Sequence, residues 1–270
     1  MFDVAIFTDG ACAGNPGCLR YGSYWFLYRV CRFARGVETI DANNKGRSEI
    51  YHIIMEDIKS KIIDFIRRNR VCTTEVADCL GKAGALEGVM PINRGHFKVG
   101  NVKWVYAYKE SNWDVHEQII STQENDVVFI EAFDCGKRAI IGELVSKYIL
   151  LYRQASAIIC NAPFRDAAAL IRENYPIWCK GFTPVGCFNT KPEHDLDAEI
   201  KVQHQAMYDG AIAVCDDCGV VIIPKEYHTE EFYQKLVHIE EQEDIWFNRL
   251  DHYKENTFEI VCLKNYLKEN

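Results

Sequence analysis

Several things are missing from this 270-residue chain. No stretch approaches 18 uninterrupted apolar residues, so no membrane-spanning helix is expected. Met1-Phe2-Asp3 has no basic opening and no long apolar run behind it, so the start does not read as a secretory signal. Positive charge is in deficit: 31 Lys and Arg face 39 Asp and Glu, a net charge of -8. The first 54 residues are close to neutral, and the rest carries the acidity. Gripping nucleic acid requires a surface that neutralises phosphates, and an acidic body argues against it. Low-complexity linkers and internal repeats are absent. His96, His116, His194 and His204 form no i, i+4 pair with an intervening acid, so they read as surface or satisfied core residues.

Cysteine is plentiful, 12 in all, but scattered. The one tight pair, Cys215-Asp216-Asp217-Cys218, has no second ligand pair, so it reads as two free thiols in a turn between strands. Reduced thiols point to an intracellular, cytoplasmic protein.

What is present is an interleaved α/β pattern. Residues 2–8, Tyr21 to Cys31 and Arg32 to Ile40 read as a three-stranded meander with a turn at 14–17. Ile50, Ile53, Ile54, Ile58, Ile62, Ile63 and Ile66 fall at helical spacing, which predicts a long helix from about Ser48 to Arg68. A short helix is expected from Thr73 to Gly81, and strands at 99–108 and 126–132. Next come a helix from Gly142 to about Arg153, a strand at 155–160, a helix from Ala167 to Asn174 and a strand at 177–180. Trp104, Tyr106, Tyr108 and Trp113, at near-strand spacing, read as core rather than a stacking platform. Residues 189–200 look like a polar excursion. Strands at 211–214 and 220–223 and an amphipathic helix from Thr229 to Leu250 close the pattern, whose run Glu240 to Asp244 is a solvated face.

The candidate chemistry lies at Gly142-Glu143 and, 22 residues past that glutamate, at Arg165-Asp166. The apolar run Ala155 to Cys160 between them reads as a buried strand. A glycine-acid turn opening a helix offers free amides to an anion. A guanidinium adds a fork that matches a carboxylate. An aspartate beside it can hold a hard divalent cation.

From about Met55 to Leu250 the chain resembles the family of RraA, regulator of ribonuclease activity A, and the metal-dependent 4-hydroxy-4-methyl-2-oxoglutarate aldolases. The segments that carry the resemblance occur in order: Thr73-Thr74-Glu75-Val76-Ala77-Asp78, Asn125-Asp126-Val127-Val128-Phe129-Ile130, Gly142-Glu143-Leu144, Phe164-Arg165-Asp166, Pro176 to Pro184, and Asp217 to Pro224. The resemblance implies a layered α/β/α body of swivelling-domain type. It also implies a small oxo-acid substrate, Mg²⁺ or Mn²⁺, and a pocket between subunits of a trimer or of a hexamer of stacked trimers. On the matching residues, Gly142 and the amides of Leu144 and Val145 would bind the substrate carboxylate. Arg165 would hold that carboxylate and the enolate oxygen, and Asp166 the metal. Glu143 would act as acid/base through a metal-bound water. Here Glu143 stands where the aldolases have aspartate, and one more residue precedes the arginine. The activity implied is aldol cleavage or oxaloacetate-type decarboxylation. The same family includes non-catalytic regulators, so binding to a ribonuclease or RNA-handling partner is the second reading.

The opening Thr8-Asp9-Gly10-Ala11-Cys12-Ala13-Gly14-Asn15-Pro16-Gly17, with Asn43-Asn44 and Arg47-Ser48-Glu49, is similar to the first half of ribonuclease H. That implies metal carboxylates at Asp9 and Glu49, a weaker nuclease reading because a two-metal site needs more carboxylates. The expected division is a truncated ribonuclease H-like extension at 1–54 and an RraA-like domain at 55–270.

Overall fold

The computed structural model describes residues 44–268, with side chains from Asp57 onward. The chain divides into two compact units, Met1–Asp57 and Ile58–Asn270. The ribonuclease H-like meander and Asp9 lie outside the described residues. Glu49 falls on the backbone of the first described helix, α1 (Asn44–Asn69), where side chains are not described.

The second unit is a mixed α/β fold. Its sheet has seven strands: β1 (Met90–Pro91), β2 (Lys98–Tyr108), β3 (Val127–Phe133), β4 (Ala157–Cys160), β5 (Ile177–Cys179), β6 (Ile212–Asp216) and β7 (Gly219–Ile223). Their spatial order is β1-β5-β4-β3-β2-β6-β7. The four central strands β2 to β5 are mutually parallel, in registers such as Val105↔Ile130, Ile130↔Cys160 and Ile159↔Trp178. β6 runs antiparallel to β2, and β7 closes a hairpin on β6. The segment before β1 ties the two edges together. Leu86 N–H donates to Val220 O of β7 at 3.0 Å, and Ile222 N–H donates to Gly84 O at 2.9 Å. A few residues on, β1 pairs with β5. The sheet is thereby nearly closed, which leaves little exposed edge to template pairing with another chain.

The central strands are apolar on both faces, as parallel strands covered on both sides must be. Val105, Val128, Ile130, Ile158, Cys160 and Ile177 point to one face. Val102, Trp104, Val127, Phe129, Ile159 and Trp178 point to the other. This alternation follows from the two-residue period of a strand. The first face is covered by α3 (Trp113–Gln118), α4 (Glu143–Lys147) and α5 (Ala167–Arg172), through Val115, Val145, Ile149 and Leu170. Past Lys147, α4 widens into π-type turns over Tyr148–Tyr152. The other face takes Leu196 and, from α6 (Ala198–Tyr208), Tyr208. Helix α2 (Thr73–Cys79) packs on the β6–β7 hairpin and on α7 (Glu230–Asn248).

Two expectations from the sequence change. Trp113 is not a strand residue: it opens α3 and is 44% exposed. Within the polar stretch after 189, residues 198–208 form a helix with no buried side chain.

Candidate functional site

The four parallel strands all point their carboxyl ends the same way, which is where ligands of parallel sheets bind. Each of the loops that follow brings one part of a small cavity of about 80 Å³. Asn112 and His116 come after β2, residues 139–142 with Leu144 and Val145 after β3, Arg165 and Asp166 after β4, and Cys187 and Asn189 after β5. Backbone hydrogen bonds stitch these loops to one another. Ile140 N–H donates to Pro163 O, and Arg165 N–H to Ile141 O, at 3.0 and 3.1 Å. Thr183 N–H donates to Phe164 O, Ala139 N–H to Val185 O, and Phe188 N–H to Glu110 O, at 2.8–2.9 Å. Loops bonded in this way hold their side chains almost as precisely as regular elements do.

Gly142 is the N-cap of α4, and Asp166 is the N-cap of α5. The two caps meet. A Cβ on Gly142 would collide with the Asp166 carboxylate and would stand 2.8 Å from Arg165 Cγ. Only glycine lets the backbone pass this close. Asp166 adopts a left-handed conformation, φ 61°, which aspartate tolerates better than most residues at a cost of about 1 kcal/mol. That turn aims its carboxylate back at α4, where Oδ2 accepts a hydrogen bond from Glu143 N–H at 3.0 Å. The Arg165 guanidinium lies over Gly186: a Cβ there would come within 2.6 Å of Nη1. Arg165 Nε is 3.8 Å from Asp166 Oδ2, and both side chains are about half exposed.

Glu143 N–H is therefore spent within the protein. The next two amides of the first turn, Leu144 and Val145, have no intrahelical acceptor by position. Ser146 N–H is the first to return into the helix, to Gly142 O at 3.1 Å. Below them, buried Asn112 donates to Ile140 O at 2.9 Å and accepts from Asn189 Nδ2 at 3.0 Å, which fixes the cavity floor.

Among the described residues, no group of three His, Cys, Asp or Glu could hold a metal ion. The donors present are one exposed aspartate with one oxygen outside the Glu143 bond, and Glu143 itself on the adjacent turn. Such a set does not suit zinc, which wants four nitrogen or sulfur ligands or three and a water. It suits a hard cation that keeps most of its water shell, as Mg²⁺ does.

Sequence reasoning placed Gly142, Glu143, Leu144, Val145, Arg165 and Asp166; the structure brings five of them to the cavity wall, and Glu143, which does not line it, opens the adjacent helix with its N–H on Asp166. It missed Asn112, Cys187 and Asn189, and set His116 aside as an ordinary surface or core histidine. They sit on loops far apart in the chain, and nothing local marks them. His204 fits its expectation: Nδ1 is 2.9 Å from Glu131 Oε2, and Trp104 Nε1 donates to the same oxygen at 2.8 Å.

Comparison with known proteins agrees with this architecture. A protein of Halalkalibacterium halodurans, provisionally named a 4-hydroxy-4-methyl-2-oxoglutarate aldolase, is 28% identical over 165 residues, covering 60% of this chain and 78% of that one. An uncharacterised protein of Pseudomonas syringae pv. tomato superposes with a TM-score of 0.57 at 18% identity, covering 74% of this chain and 96% of that one. Streptomyces coelicolor RraAS2, described as an unusual member of the RNase ES inhibitor RraA family, gives 0.55 at 20% identity, covering 70% and 97%. At those identities the structures bear on fold alone. The family model RraA-like, Aldolase/RraA, matches residues 73–222, more than half of the chain, and the protein belongs to that family.

Proposed function

We propose that this protein is a divalent-metal-dependent lyase acting on a pyruvate-derived oxo acid, of the 4-hydroxy-4-methyl-2-oxoglutarate aldolase or oxaloacetate decarboxylase type. The observation that carries the reading is the meeting of Arg165, Asp166 and the first turn of α4 in one cavity at the carboxyl ends of the parallel strands. The aldolase name borne by the H. halodurans relative supports it.

Cleaving a carbon–carbon bond beside a keto acid develops negative charge on the keto oxygen. Arg165 binds the substrate carboxylate and shares that charge as it grows. The Leu144 and Val145 amides donate to the carboxylate, at a helix end that favours anions. Asp166, fixed by Glu143 N–H through one oxygen, would hold Mg²⁺ or Mn²⁺ with the other. When bound, the ion supplies Lewis-acid stabilisation of the developing charge. Glu143, at the mouth of the same turn, moves a proton by way of water.

The cavity has an apolar rim. Leu144, Val185 and Phe188 are 80%, 53% and 53% exposed, and Phe182 is 40% exposed. Side chains of this kind beside a polar pocket suit burial against a second copy of the chain, as in a homotrimer or hexamer. Light scattering on the purified protein measures that directly, and a monomer would remove this part of the proposal.

The test of activity is pyruvate release from oxaloacetate and from 4-hydroxy-4-methyl-2-oxoglutarate, with Mg²⁺, with Mn²⁺ and with EDTA. Turnover should require the metal and fall by about 10³-fold or more in Asp166→Ala, a loss of about 4 kcal/mol of transition-state stabilisation. A well-folded protein giving no turnover above the free-metal background would sink the lyase for these substrates. The cavity would then be a binding site only.

A further inference from the structure

Two arginines meet the loop that follows β5, and each meets it at Gly186. Arg165 lies against the glycine itself, where a Cβ would come within 2.6 Å of its Nη1. Arg138, in the loop after β3, holds the glycine by its carbonyl: Nη1 donates to Gly186 O at 3.0 Å. Arg165 is half exposed, and its Nε stands 3.8 Å from the nearest carboxylate, that of Asp166. Arg138 is mostly covered. Its Nε lies 2.9 Å from Glu110 Oε1, an ion pair rather than an aligned hydrogen bond. Its guanidinium lies over the Phe188 ring, 4.5 Å from the centroid. Arg138 does not line the cavity. Its charge is answered by Glu110 and its face by Phe188, so it has nothing left to offer a substrate.

We infer that Arg138 is a positioning residue: it holds Gly186 against the Arg165 guanidinium and so sets where Arg165 meets the substrate carboxylate. The inference rests on the role proposed above for Arg165. Main-chain bonds pin the loop on either side of the glycine. Ala139 N–H donates to Val185 O at 2.8 Å, Cys187 N–H to Ala139 O at 3.0 Å, and Phe188 N–H to Glu110 O at 2.8 Å. Among the described residues, no backbone N–H reaches Gly186 O, and Arg138 takes that place. Without it the carbonyl has no donor, and the peptide behind Arg165 is free to tilt.

The same side chain ties three loops that need fastening. Lys109 and Glu110, after β2, are consecutive left-handed residues with φ of 53° and 56°. Side chains other than glycine take that conformation at a cost, and it persists only where the surroundings impose it. Glu110 N–H donates to Asp134 O at 3.2 Å, and the Glu110 carboxylate meets Arg138. Arg138 therefore joins the loops after β2, β3 and β5, and through Gly186 it reaches the residue that the loop after β4 carries. A lysine could pair with Glu110, but it has no planar fork to reach Gly186 O as well and no flat face to lie on Phe188.

The test is a double-mutant cycle between Arg138→Lys and Arg165→Lys, read by steady-state kinetics on oxaloacetate with Mg²⁺, beside a crystal structure of unliganded Arg138→Lys. Alone, Arg138→Lys should lower kcat/KM by roughly 10- to 100-fold, the scale of a displaced positioning group, with KM raised as well as kcat lowered. In the Arg165→Lys background the same change should cost no more than about 2-fold, because its route to the substrate is already lost. Glu110→Gln, which keeps the Gly186 bond, should leave kcat/KM nearly unchanged. In the crystal, the Arg165 guanidinium should move off Gly186 by about 1 Å or more. A full loss in both backgrounds, an equal loss in Glu110→Gln, or an Arg165 unmoved in the crystal would each overturn the inference. So would an unfolded Arg138→Lys, which would make Arg138 a stability residue. A wild type without turnover would remove the lyase instead, and the crystal structure would still decide whether Arg138 places Arg165.

Discussion

Asp216 and Asp166 both accept backbone hydrogen bonds at loop ends, and their surroundings could hardly differ more. Asp216, at the end of β6, accepts from Thr73 N–H, Thr73 Oγ1 and Cys218 N–H, all at 2.8 Å. Its carbonyl also takes the indole N–H of fully buried Trp178 at 2.7 Å. Asp166 accepts one backbone hydrogen bond, from Glu143, and turns the rest of a half-exposed carboxylate toward a cavity beside an arginine. Asp216 is a joint: it fastens α2 to the β6–β7 hairpin. Asp166 has acceptor capacity left over, and a carboxylate needs that to do chemistry. An acid at a strand end is informative about function only once its hydrogen bonds have been counted.

The largest expected effect comes from breaking the joint. Asp216→Ala removes three charge-assisted bonds and strands the buried Thr73 N–H. At about 1.5 kcal/mol or somewhat less for each, the loss is roughly 4 kcal/mol of stability, read as the shift of a urea unfolding curve. Asp166→Ala should cost under about 1 kcal/mol in the same assay, since a half-exposed group with one backbone bond is removed. Equal losses at the two positions would erase the distinction between joint and site.

Next in size is a group whose charge the fold does not accommodate at all. His228 is buried, and its Nε2 has no hydrogen-bond partner among the described residues. Burial first, then the charges of Lys59 and Lys225, push it down to about 4. The unfolded chain therefore binds a proton that the folded one refuses between pH 6.5 and pH 4. Stability from this residue is fully present above about pH 6.5 and drains away as the pH falls toward 4, by about 3 kcal/mol in total. His228→Asn should flatten that part of the stability-against-pH curve. An unchanged slope would move the acid sensitivity to other groups.

Gly142→Ala follows, at about 2 kcal/mol of stability, because its Cβ would need the space held by Asp166 and Arg165. The Asp166–Glu143 contact has to open, so turnover should fall with stability. Unchanged turnover in the variant would show that this close approach is not part of the site.

The same contrast explains what could be read from the sequence. β2, β3 and β4 are visible because strands buried on both faces are nearly unbroken apolar runs. Helix α6 was invisible because it buries no side chain: it hangs on the sheet by His204 to Glu131 and Tyr208 against Phe129. A helix held by polar and edge-on contacts leaves no 3.6-residue pattern to find. β1 is two residues long, and α3 only six, below what periodicity can register. In the site, Arg165-Asp166 and Gly142-Glu143 were legible because each is a local pair with a local reason. Asn112, His116, Cys187 and Asn189 reach the cavity only through the parallel topology, which collects four distant loops at one end of the sheet.

The smallest expected effect on stability, from Gly186→Ala, is the sharpest probe of that topology. The new methyl would meet Arg165 Nη1 at 2.6 Å, but this neighbour is the far end of a flexible side chain. Gly186, like Gly142, does not carry a positive φ, so alanine adds no backbone strain there. Unfolding should shift by less than about 0.5 kcal/mol, as for substitutions that strain nothing. The guanidinium must nevertheless move aside, and displacing a positioning group by a fraction of its reach costs about 10-fold in turnover. Arg165 binds the substrate in both ground and transition states in the proposed reaction, so KM should rise along with the fall in kcat. Steady-state kinetics on oxaloacetate beside a urea titration separates the outcomes. A drop in activity without a drop in stability would place Arg165 in the chemistry through the residue that shapes its path. Unaltered kinetics would mean that the guanidinium reaches substrate from another side of the cavity, and Gly186 would then be a turn residue only.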